Sequence, residues 1–115
     1  MAELTTNAYA DLRNYILNNW KYIELQDDQS NPILRLSNAD SRVTSVVDNN
    51  NVKVTIVVKG SDADITTPVT FSKSVIYNVA TDGNALSEES FDNFTMQSEN
   101  DELTVIHTIE VPRLV

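Results

Sequence analysis

Residues 42–60 read RVTSVVDNNNVKVTIVVKG, and the alternation within this stretch decides the fold. Val52, Val54, Ile56 and Val58 fall on one side of an extended chain, and Lys53, Thr55, Val57 and Lys59 on the other. A period of two is that of a pleated strand, because successive side chains point to opposite faces. Before it, Val43, Ser45 and Val47 alternate with Arg42, Thr44 and Val46. Between the runs lies Asp48-Asn49-Asn50-Asn51, made of residues that tolerate left-handed backbone angles. The stretch is therefore expected to form a β-hairpin, with its second strand in the middle of a sheet.

Working outward, Thr5 or Thr6 can cap a helix over about residues 6–19. Tyr9, Leu12, Ile16 and Trp20 then form one apolar stripe, and Arg13 is expected on another face. Residues 21–25 and 33–36 make a first hairpin across the turn-rich segment Asp27–Pro32. Pro68 opens a strand in which Val69, Phe71, Val75, Tyr77 and Val79 share a face, interrupted by Lys73. Ser87 reads as the cap of a short helical turn through Glu88 and Glu89, and residues 91–97 as a weaker strand. The last strand runs over residues 102–111, with Leu103, Val105, His107, Ile109 and Val111 inward. The expected class is α+β: an N-terminal helix packed on a mainly antiparallel β-sandwich or barrel-like sheet of about seven strands. A chain of 115 residues fits a single domain, 1–115, with strands filling about residues 20–111.

Composition removes several functions. With no cysteine there is no disulfide, thiolate nucleophile or cysteine-ligated metal. The formal net charge is −9, and the cations Arg13, Lys21, Arg35, Arg42, Lys53, Lys59, Lys73 and Arg113 are scattered. Nucleic acid and anionic membranes would be repelled, so neither is an expected partner. The opening MAELTTNAY lacks a basic stretch and an apolar core, so no signal peptide is expected. No apolar run approaches the ~20 residues of a membrane span.

Chemistry-bearing residues are few. His107 is the only histidine, and its neighbours on the strand make it a core residue rather than a catalytic base. GxSxG, SxxK and a paired-histidine zinc motif are all absent. Gly60 and Gly83 are the only glycines, so there is no phosphate cradle. Asp62-x-Asp64-x-Thr66 offers oxygen ligands to a divalent cation such as calcium, and these are the weak metal candidates. Of the aromatic residues near the start, Tyr9 and Trp20 read as core, and Tyr15 and Tyr22 as interface candidates. Lys53, Lys59 and Lys73 could guard strand edges against pairing. No catalytic residue, cofactor site or cofactor is assigned.

Three segments in the second half form a recognisable order: TFSKSVIY at 70–77, DGNALSEESF at 82–91 and DELTVIHTIEVP at 101–112. An aromatic strand leads to a glycine turn, an acidic loop and a final strand of the type D-x-L-T-V-x-x-x-I-x-V. This resembles a C-terminal pattern of small virion and tail-associated structural proteins of tailed bacteriophages and prophages. The usual Gly-Gly of the turn is here Asp82-Gly83. The resemblance implies a non-enzymatic protein made in the bacterial host cytoplasm and located in the virion, assembling with other virion proteins and as a homo-oligomer. It carries over no catalytic residue. The alternative is a β-sandwich ligand-binding module that recognises carbohydrate or a host surface, with or without a divalent cation.

Overall fold

A computed structural model describes residues 1–112, so Arg113 lies outside the described residues. It contains a helix, α1 (Thr6–Asn19), followed by seven strands: β1 (Tyr22–Gln26), β2 (Pro32–Ser37), β3 (Val43–Asp48), β4 (Asn51–Lys59), β5 (Val69–Tyr77), β6 (Ser87–Met96) and β7 (Glu102–Glu110). They form two antiparallel sheets, ordered β2-β1-β5-β6 and β3-β4-β7, that are not closed into a barrel. The architecture is α+β: one helix on a two-layered antiparallel body.

The hairpin forms as the alternation requires. Asp48 pairs with Asn51, and Asn49 takes a positive φ of 55° to turn the chain. β4 lies between β3 and β7, and Val52, Val54, Ile56 and Val58 are all buried. Opposite them the four-stranded sheet contributes Ile23, Leu25, Leu36, Phe71 and Ile76 to one continuous core. Burying such side chains supplies about 1.5–3 kcal/mol each, and this is what holds the two layers together.

Thr5 caps the helix: its Oγ1 accepts from the Ala8 N–H at 3.2 Å, and the Trp20 N–H closes the other end on the Ile16 carbonyl. The buried stripe is rotated from the expected one. Leu12 is 41% exposed, whereas Arg13 is 8% exposed and donates to the Val111 carbonyl just past β7. The guanidinium thus ties the helix to the end of the sheet, and Leu12 is turned toward solvent. α1 packs against β3 and β4. No helix among the described residues is long and apolar enough to cross a membrane.

Three further expectations are corrected. β5 and β6 slip in register between Phe71 and Lys73, so the side-chain alternation changes sides there. Phe71 and Ile76 therefore face the core, while Val75 and Tyr77 pair with the outward residues Glu24 and Tyr22. Ser87 does not cap a helical turn, because residues 87–96 are strand from the start and Ser87 pairs with Ile76. Lys53, Lys59 and Lys73 sit on β4 and β5, which are interior strands, so they guard no edge. Gly60 does have a steric duty. A Cβ there would lie 2.0 Å from the Ser98 carbonyl oxygen, where the two loops at the end of β4 and β7 cross.

Candidate functional site

His107 joins the two sheets. Its Nδ1 lies 2.7 Å from Ser74 Oγ on β5, and its Nε2 lies 2.8 Å from Ser87 Oγ on β6. The ring and Ser74 are fully buried, and burial pushes the imidazole pKa down to about 4. A neutral ring has one N–H and one lone pair, so one serine accepts and the other donates. β6 and β7 are neighbours without backbone ladder bonds, and this serine–histidine–serine chain bridges the gap.

A serine beside a histidine invites a nucleophilic reading, and the geometry does not favour it. The nitrogen that would need an orienting carboxylate is bonded to Ser74 instead. Ser87 opens β6 opposite Ile76, and the Leu86 N–H beside it is already bonded to the Ile76 carbonyl. That N–H is therefore not available to an oxyanion. Ser74 and Ser87 were not legible as partners of His107, since the signal needed was the strand order.

Asp62 and Asp64, the cation candidates, are brought together, but around a cation of the chain itself. Arg42 binds Asp64 through both terminal nitrogens at 2.8 and 2.9 Å, Asp62 at 3.2 Å and Asp40 at 3.0 Å. Its hydrogen bonds hold the Asp40 carboxyl down at about 2 and lower that of Asp64. No group of three or more His, Asp or Glu among the described residues, this one included, is arranged to hold a metal. Arg42→Ala is expected to cost about 1–2 kcal/mol in urea unfolding, a modest loss because the partners are partly exposed. Much of the difference from the parent should vanish in high salt.

The outer face of the four-stranded sheet carries a second polar cluster. Glu24 and Arg35 are cross-strand neighbours, and Arg35 Nε donates to Glu24 Oε1 at 3.1 Å. Gln26 donates to the other carboxylate oxygen at 2.7 Å. Arg35 Nη1 donates to the Val79 and Asp82 carbonyls at 3.0 and 2.9 Å, and its guanidinium lies 3.5 Å from the centre of the Tyr77 ring. Asp82 and Gly83 both have positive φ, and this folds the loop back over the pair. A Cβ at Gly83 would meet Val79 at 2.4 Å. The open depression beside the loop, about 480 Å³, is lined by Glu24, Gln26, Arg35 and Tyr77 among others. Glu24, Gln26 and Arg35 bond one another there, and Arg35 covers one face of the only aromatic ring in its lining.

Of the interface candidates, Tyr15 is 58% exposed on α1. Tyr22 is half-buried on β1, paired with Ser37 and Tyr77, and so offers less surface. The larger uncovered surface was missed by sequence reasoning. On the outward side of β3, β4 and β7, the register sets Val46, Lys53 and Thr108 in one row, Thr44, Thr55 and Ile106 in the next, then Val57 and Thr104. Val46 is 46% and Ile106 52% exposed, so the helix does not cover this face. Its one central charge, Lys53, is paired with Asp48 at 2.9 Å. Comparison with protein-family models, with curated proteins and with solved structures finds no significant match in any of the three.

Proposed function

We propose that this chain is a non-catalytic structural protein of a bacteriophage or prophage, associated with the tail or another virion part, and that it works by protein–protein assembly. The observation that carries the reading is the division of labour among its side chains. His107, Arg42 and Arg35, the groups best suited to chemistry or ligand capture, are each saturated by the fold. What is left for the outside is an uncovered, β-branched sheet face. A surface of this kind suits contact with another protein. The resemblance of residues 70–112 to tail-associated proteins supports the virion setting.

Mass spectrometry of density-purified particles from the encoding host, after induction, tests this. The chain is expected in the particle at a stoichiometry matching a symmetric tail or virion component. Its absence from particles, with the chain left in the soluble lysate, would contradict the reading.

A further inference from the structure

We infer that the depression on the outer face of the four-stranded sheet is a binding site for a neutral, hydroxyl-rich ligand: a single sugar unit of a glycan. The inference goes beyond the assembly reading and does not depend on it. The depression has a built floor. Glu24, Gln26 and Tyr77 are each more than nine-tenths buried, and Val75, paired with Glu24, is fully buried although it faces outward. The loop residues Ala80 to Gly83 form its other wall. Arg35 fixes that wall through the Val79 and Asp82 carbonyls, and the positive φ at Asp82 and Gly83 turns it inward. The volume of about 480 Å³ lies within the range of ligand pockets, roughly 300–1,000 Å³.

Two oxygens of this floor have no partner in the chain. Gln26 Nε2 donates to Glu24 Oε2, and a carboxylate only accepts, so the amide is oriented with its Oε1 turned away from Glu24. Among the described residues neither Gln26 Oε1 nor Tyr77 Oη takes part in a hydrogen bond, yet no fully buried side-chain oxygen or nitrogen lacks one. Both oxygens therefore keep contact with solvent, and the depression is the opening that both residues line. Ser30, also in the lining, accepts from Lys73 Nζ and keeps its own proton to donate. One opening thus offers an acceptor, a donor and a phenol that can do either. Ligand hydroxyls, each of which donates and accepts, answer that set.

Charge narrows the class. The lining sets the carboxylates of Glu24 and Asp82 against the one guanidinium of Arg35, in a chain of net charge −9, so an anion is repelled. A cation finds both Glu24 oxygens taken, Arg35 beside them, and one face of the Tyr77 ring already occupied by that guanidinium. A neutral ligand meets neither obstacle. With few free groups and an open mouth, binding is expected in the millimolar range.

Two-dimensional amide NMR of the full chain, titrated with glucose, galactose, mannose or N-acetylglucosamine up to about 100 mM, tests this. At least one of these sugars should shift the amides of residues 80–83 and the Gln26 side-chain NH₂, and saturate. Sodium phosphate and methylammonium chloride should leave those signals in place. Tyr77→Phe should weaken the sugar by about 5- to 10-fold, the share of one hydrogen bond. Its thermal melt should match the parent's, because the lost hydroxyl bonds nothing in the chain. Silence with all four sugars, saturation by phosphate or methylammonium, or equal sugar binding by Tyr77→Phe and the parent would each overturn the inference. None of these outcomes touches the assembly reading, which the particle analysis decides.

Discussion

His107→Ala unfolds at a much lower denaturant concentration than the parent chain, with an expected loss of about 3–4 kcal/mol. Two costs add. Truncation leaves a cavity in a fully buried position, worth a few kcal/mol for a side chain of this size. It also strands the Ser74 hydroxyl, which is fully buried and bonded to the ring, at about 1–3 kcal/mol. Relaxation of the β6-β7 gap recovers part of the sum. Acid acts on the same residue. The folded imidazole titrates at about 4, below its ordinary 6.5, so between those values the unfolded chain binds the extra proton. The stability contributed by the neutral ring is therefore complete above pH 6.5 and is lost as pH falls toward 4, by about 3 kcal/mol in all. His107→Gln keeps a polar group in the gap and removes the titration, so its stability should lack that part of the slope. Asp40 titrates lower, near 2, and does not account for the difference.

Arg35→Ala should cost about 3–5 kcal/mol, because it leaves the Glu24 carboxylate buried without its cation. The Val79 and Asp82 carbonyls lose their donor in the same step, so amide exchange in the loop over residues 79–83 should quicken. Glu24→Gln in the Arg35→Ala background removes the stranded charge and should recover a large part of the stability. Arg35→Lys should recover little, since a point charge cannot reach the carboxylate and two carbonyls together. Urea midpoints of the single and double variants close the cycle. Equal stability of Arg35→Ala and the parent would show that Glu24 has another partner or is solvated.

The central hairpin was legible because strict alternation and an asparagine turn leave one way to bury Val52, Val54, Ile56 and Val58. The helix was legible from its threonine cap, but not its rotation. Hydropathy favoured Leu12, whereas the Val111 carbonyl drew Arg13 inward, and that contact joins residues far apart in sequence. The faces of β5 were misread because the slip at Phe71–Lys73 depends on the partner strand. Counting outward from the Asp27–Asn31 turn would set Glu24 opposite Leu34; a bulge between Leu25 and Gln26 shifts the register by one and brings Arg35 there instead. What no local pattern held was the strand order. It sets Ser74 and Ser87 against His107, and it makes interior strands of those that carry Lys53, Lys59 and Lys73.

The division between groups spent on the fold and a face left for contact turns on one imidazole. Catalysis by His107 would need a ring that gains and loses a proton near neutrality. NMR titration of the His107 ring carbons in the intact chain reads this directly. A ring used only to join the sheets stays neutral down to about pH 4 and charges as the fold is lost. A reversible midpoint between pH 6 and 7.5 in a fully folded chain would contradict it.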